Sequence, residues 1–242
     1  FKRFQKVYVM TMMLIKKLLL LPVLIFSLVC LSQNKNLIKV NDSIVGYENL
    51  SLNNGIVYTN KYPITSKNTF QFLDNKYNSG IVHYNNQMYY DVNIKYDVFD
   101  DILLFKPTTQ LILETSLITK QVDYFILKNK KFKKIETISS DKTIRAGYFE
   151  EQIINDKSTL YIKHKKTIKE DYKTNILSYM FYDYKEYYIY YNDKLTEIST
   201  KKSIITIFPT LKKEIKKYYK ENNKQKEENI QLFYQNLFKT II

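Results

Sequence analysis

The apolar pattern of this 242-residue chain predicts an α+β fold, mainly β. The expected form is an antiparallel meander or incomplete barrel covered by two C-terminal amphipathic helices. Three observations lead there. Residues 88–97 alternate, with Met88, Tyr90, Val92, Ile94 and Tyr96 on one side and Tyr89, Asp91, Asn93, Lys95 and Asp97 on the other. A strand points successive side chains to opposite faces, so this is a sheet lying on a core. Further hairpin patterns recur along the chain with no helical period between them. From about residue 203 the period then changes to that of a helix.

The first element is an address. Lys16 and Lys17 precede a short apolar run, residues 18–31, that contains Pro22 and ends in Cys30, Leu31 and Ser32. A basic start, a short apolar stretch and small residues before a cut predict a signal peptide over residues 1–32. The run is shorter than the ~20 residues a spanning helix needs. Met12 or Met13 is the expected start codon. Cys30 is a weak lipid-attachment site because Val29, not a small residue, precedes it. Residues 33–242 then form one exported β-rich domain.

Within that domain residues 33–41 read as a polar lead-in. Residues 50–55 form a turn, with Gly55 at positive φ, feeding a short strand at 56–58. Residues 61–68, with Pro63, read as a loop. The central meander covers residues 80–105, turning at Asn85-Asn86 and over 97–101, and Pro107 ends it. Residues 111–118 fit a strand or a short helix. Strands follow at 122–127 and 132–138 around a turn at 128–131. A hairpin pairs 145–154 with 158–166, and another pairs 186–191 with 195–199. In the tail, helices occupy about 203–242. Leu211, Ile215, Tyr218 and Tyr219 make one apolar stripe, with Thr210 as N-cap, and Asn222-Asn223 is the break. Ile230, Phe233, Tyr234, Leu237 and Ile241 make the second. These stripes fit the apolar face of the sheet.

The formal charge is +14, yet all but two of the 38 basic residues, Arg3 and Arg145, are lysine. Arginine is the residue of bidentate phosphate and base contacts, so its scarcity argues against nucleic acid. The joint excess of Lys, Asn, Ile, Tyr and Phe is what an A/T-rich genome encodes. Cys30 is the single cysteine, which leaves the exported domain without a disulfide, a thiolate nucleophile or a Cys-ligated metal.

Chemistry-bearing residues are few. His83 and His164 each lie in an expected strand, without a second histidine at metal-ligand spacing. Asp97, Asp100 and Asp101 share a loop and are weak Ca²⁺ candidates, though their spacing is not that of an EF-hand. Glu150 and Glu151 are adjacent on a strand, so they point to opposite faces and cannot both serve one glycosidic bond. With four glycines there is little room for phosphate or oxyanion loops, and no cofactor is indicated. The densest aromatic run is Tyr182, Tyr184, Tyr187, Tyr188, Tyr190 and Tyr191, and its first five supply the candidate ligand-binding residues; core packing is the competing fate of these rings.

The blocks around Gly80–Asp101, Phe125–Phe132, Gly147–Glu150 and Tyr187–Phe208 resemble a recurrent pattern in uncharacterised exported proteins of Bacteroidetes-type bacteria. The resemblance implies export and a shared fold, and it carries no activity or site residue. The expected function is an exported, non-catalytic binding or envelope-associated protein in the periplasm, at the outer membrane or secreted. Its expected partners are an envelope polysaccharide, an anionic lipid surface or another envelope protein. A secreted hydrolase with an unmarked site, or an interaction module using the C-terminal helices, are the alternatives.

Overall fold

A computed structural model describes residues 35–46, 49–62, 69–107, 113–136, 144–171 and 177–242. The expected signal peptide, Cys30 and the loop around Pro63 lie outside the described residues. The chain divides into two units, Phe1–Leu50 and Ser51–Ile242.

In the first unit residues 35–45 are helical (α1), where the sequence suggests a polar lead-in. Leu37, Val40 and Ile44 recur at helical spacing. Gly46, at φ 88°, donates its N–H to Asp42 O at 3.1 Å and ends the helix. No helix among the described residues is long and apolar enough to cross a membrane.

The second unit is built on an open antiparallel sheet of eleven strands in the order β1-β5-β4-β3-β2-β6-β7-β8-β9-β10-β11. These are β1 (Ile56–Val57), β2 (Asn78–Tyr84), β3 (Gln87–Asp97), β4 (Ile102–Phe105), β5 (Thr115–Ser116) and β6 (Val122–Leu127), then β7 (Lys130–Ile135), β8 (Gly147–Asn155), β9 (Ser158–Asp171), β10 (Ser178–Tyr191) and β11 (Lys194–Glu197). Two meanders, β2 to β5 and β6 to β11, meet where β6 pairs with β2. Three hairpins turn on residue pairs in the left-handed region: Asn85-Asn86, Lys128-Asn129 and Asn192-Asp193. Such paired positive φ values match the right-handed twist of the strands.

Two local expectations need correcting. Alternation in β3 is interrupted at Asp91 (φ 55°), where Gly80 faces Val92 but Ile81 faces Tyr90. This bulge adds one residue and moves Tyr89, 1% exposed, into the core set. Met88 and Tyr90 are only half-buried. Gly55 does not adopt a positive φ. It is needed for close approach instead, because a Cβ there would lie 2.6 Å from Ser116 O.

The sheet curls. Tyr96 on β3 meets Phe132 on β7 (5.3 Å between ring centroids) and Tyr148 on β8 (5.9 Å). On a flat sheet three strand spacings would part β3 from β7 by ~14 Å. Phe72, Phe125 and His164 join this aromatic interior.

The tail holds four helices where the periodicity predicts two: α2 (Lys201–Ile207), α3 (Lys212–Glu221), α4 (Asn223–Glu228) and α5 (Ile230–Ile241). Helix α2 starts at a capping box between Thr200 and Ser203. Residues 209–211 form a 3₁₀ turn instead of an N-cap, so Thr210 does not cap α3. Ile204, Ile215, Phe233, Tyr234, Leu237 and Phe238 pack on Leu160, Ile162, Tyr187 and Ile189 of β9 and β10. The helical stripes thus cover one face of that hairpin, as expected. Each buried side chain of this size contributes ~1.5–3 kcal/mol.

Candidate functional site

Strands β9 and β10 pair over their whole length, and the register sets two faces. Lys165 faces Tyr184, Lys163 faces Glu186, Tyr161 faces Tyr188 and Thr159 faces Tyr190. These residues point away from the helices. Leu160, Ile162 and His164 alternate with them on β9 and point inward, as do Tyr187 and Ile189 on β10.

The outer face holds a cleft of about 320 Å³. Its walls are Phe149, Tyr184 and Tyr188, and its polar groups are Arg145, Lys163, Lys165, Glu186 and Glu197. Lys165 Nζ lies 2.7 Å from Glu186 Oε1, and the Tyr188 hydroxyl donates to Glu186 Oε2 at 2.8 Å. Lys163 Nζ sits 4.9 Å from the Phe149 ring centroid. It pairs with Asp101 Oδ2 at 2.5 Å and donates to Tyr148 O at 3.2 Å. Burial pushes the Lys163 ammonium below its ordinary pKa, and the Asp101 carboxylate opposes the shift. Arg145 is exposed and makes no ion pair among the described residues. It is the one described cation with a planar fork of donors free for a ligand carboxylate.

The cleft floor explains a glycine. Gly147 has φ 150°, and a Cβ there would fall on Asp101 Oδ2 and Lys163 Nζ. Only a residue without a side chain lets the β3–β4 turn reach β9 at this point.

Of the five tyrosines expected to bind ligand, Tyr184 and Tyr188 line this cleft. Tyr190 lines two neighbouring hollows. Tyr182 shares the face by register and is 47% exposed, but it lines none of the three. Tyr187 lies on the opposite face beneath α5, with its ring 5.1 Å from Tyr234. Arg145, Lys163, Lys165, Glu186 and Glu197 were not singled out from sequence. The alternation of residues 159–164 was visible; which partners they face depends on the register with β10.

The aspartates of the β3–β4 turn do structural work. Asp97 Oδ1 accepts from the backbone N–H groups of Phe99 and Asp100, each at 3.0 Å. Burial raises its carboxyl pKa to about 6. Asp100 pairs with Lys61, and Asp101 accepts from the Tyr96 hydroxyl as well as Lys163. No group of metal-ligating side chains converges among the described residues.

The histidines differ. His83 Nδ1 lies 2.6 Å from Asp123 Oδ2, with its ring stacked on Tyr124. His164 Nε2 lies 2.7 Å from Glu150 Oε2, between the rings of Phe72 and Phe132. Burial alone would raise the Glu150 carboxyl, but hydrogen bonds from His164 and Lys130 outweigh it and hold the pKa down to about 2. Burial lowers the His164 pKa, and the Glu150 carboxylate opposes the shift. Gln152 and Gln231 donate to the same carboxylate at 2.7 and 3.1 Å. With its lone pairs taken, Glu150 is a poor base, and no hydroxyl or thiol side chain hydrogen-bonds to His164 among the described residues.

The chain matches no protein-family model, no curated protein and no solved structure.

Proposed function

We propose that this is an exported, non-catalytic binding protein whose ligand sits in the cleft between Arg145, Lys163, Lys165, Tyr184 and Tyr188. One observation carries the reading: Arg145, without an ion pair among the described residues, converges with two further cations and the exposed Tyr184 ring on a single concave site. Ligand sites combine such walls with a few placed polar groups, and a cleft of this size takes a small ligand or one unit of a longer one. Export rests on the apolar run and small residues of 18–32.

The full exported chain is to be screened by thermal shift against four probe classes: carboxylated saccharides, neutral saccharides, amino acids and phosphatidylglycerol vesicles. A true ligand at 100 times its Kd stabilises the fold by ~2.7 kcal/mol. That gain disappears in Arg145→Ala and Tyr184→Ala and survives in His83→Ala. Consumption of any probe that stops when His164 is replaced would make the protein an enzyme and end this reading. Sequencing the natural product's N-terminus checks export, with Gln33 as the expected first residue.

A further inference from the structure

Two more hollows adjoin the cleft on the outer face. One, of about 290 Å³, is walled by Lys133, Ile135, Tyr161, Tyr190 and Leu195. The other, of about 270 Å³, includes Ser158, Tyr190, Asn192 and Asp193. Tyr190 belongs to both, and Tyr161 lies directly across the β9–β10 register from Tyr188 of the cleft. The three hollows form a row, with tyrosine rings at their boundaries. Along β10, Tyr184 and Tyr190 point the same way roughly 20 Å apart, with Tyr188 buried between them. The Tyr184 ring is 42% exposed and that of Tyr190 36%.

The chemistry of the row narrows what could lie on it. Spaced ring faces suit a ligand made of repeating units that stack. Across the first two hollows cations outnumber acids five to two, which favours negative charge on that ligand. Arg145 has no ion pair among the described residues, and Lys133 is held only loosely, 3.7 Å from Glu151. Glu197 and the Asn192 amide stand ready for hydroxyl groups. The cleft and the hollow at Asn192 are lined mostly by polar groups, which suits an acyl chain poorly. A peptide joins a sheet through the backbone of a free edge, whereas these hollows lie on the face, between side chains.

We propose that the outer face binds an extended, carboxylate-bearing oligosaccharide. Its rings rest on Tyr184 and Tyr190, its carboxylates on Arg145 and Lys133, and its hydroxyls donate to Glu197. This assignment rests on the binding reading above and names the class of ligand for the same site.

Calorimetric titration of the full exported chain tests it with three probes: a galacturonate tetrasaccharide, its methyl ester and phosphatidylglycerol vesicles. The acidic tetrasaccharide is expected to bind, more weakly as salt rises. Arg145→Ala and Tyr190→Ala should each lower its affinity about tenfold or more, as for loss of a charge-assisted contact or a stacked ring. The methyl ester should lose a comparable factor. Equal affinity for ester and acid, a single galacturonate binding as tightly as four, or vesicles binding through Arg145 and Tyr184 in place of the saccharide would overturn this ligand class. Each of those results leaves the binding reading standing. If every probe is indifferent to both Arg145→Ala and Tyr184→Ala, the class and the binding reading fail together.

Discussion

The two faces of the β9–β10 hairpin are made from the same kinds of residue and are covered differently. On the inner face Tyr187 is 8% exposed and lies under α5, beside Ile189, Leu160 and Ile162. On the outer face Tyr184 and Tyr190 stay exposed among Lys163, Lys165 and Glu186, while Tyr188 is buried with Phe149, Tyr161 and Leu195. Tyrosine serves both because its ring is apolar and its hydroxyl tolerates water. Strand parity decides which rings lie under the helical roof, and on the other face a ring is exposed or buried according to its neighbours across β8 to β11. Richness in tyrosine says nothing about which face a ring takes.

Removing the roof's anchor should produce the largest effect. Phe233 is fully buried and touches the rings of Tyr218, Tyr219 and Tyr234. Phe233→Ala is expected to cost ~3–5 kcal/mol, read as a lower urea midpoint. A loss under ~1 kcal/mol would mean that the helices are not part of the core, and the contrast between the faces would collapse.

Glu150 and Glu151 repeat the comparison in two adjacent residues. Glu150 points inward to His164, and Glu151 points outward to Lys131 and the Tyr161 hydroxyl. The folded Glu150 carboxyl is held at about 2, below its ordinary 4.5. A depressed carboxylate stabilises the fold above its unfolded pKa, and that contribution is lost as pH falls through the folded value. The window therefore runs from about pH 4.5 down to about 2 and is worth about 3 kcal/mol. Burial also lowers His164, and this acts in the same direction, with loss beginning below its ordinary 6.5. Chemical unfolding across this range should show that slope in the native protein. Glu150→Gln should remove most of it and Glu151→Gln should leave most of it; equal effects would show that the two faces are not electrostatically distinct.

The sequence made the antiparallel sheet legible, because turn residues such as Asn85-Asn86 and Asn192-Asp193 sit between alternating runs. It also made the roof legible through the apolar spacing of Ile230 to Ile241. The bulge at Asp91 was not, because one added residue reverses the alternation without any Gly or Pro to mark it. Thr200 was missed as a cap because its partner is Ser203, not the glutamate or glutamine of the usual box. The cleft was half legible. Its tyrosines stood out by density, whereas Arg145, Lys163 and Glu197 come from three separate stretches and meet only once the register across β8 to β11 is fixed.

A smaller loss is expected at the cleft floor. Gly147→Ala must displace Asp101 or Lys163 and also occupies a backbone region that favours glycine, at a cost of ~1–3 kcal/mol. Because Lys163 lines the cleft, ligand affinity should fall with stability. Phe233→Ala, measured where it is still folded, should leave affinity nearly unchanged. If Gly147→Ala lowers stability alone, Lys163 does not contribute to binding and the floor serves only the fold.

The smallest effect on stability, and the sharpest test of the comparison, is at Tyr184. Its ring is 42% exposed, with Lys165 Nζ 5.8 Å from the ring centroid. Tyr184→Ala should change unfolding free energy by no more than ~0.5 kcal/mol, as for a surface position without a buried partner. The same truncation on the inner face, Tyr187→Ala, takes a ring out from beneath Tyr234 and should cost several times as much. Paired melts of the two variants decide the point. If both melt alike, the helical roof does not set Tyr187 apart from Tyr184, and the contrast between the covered and the open part of β10 fails.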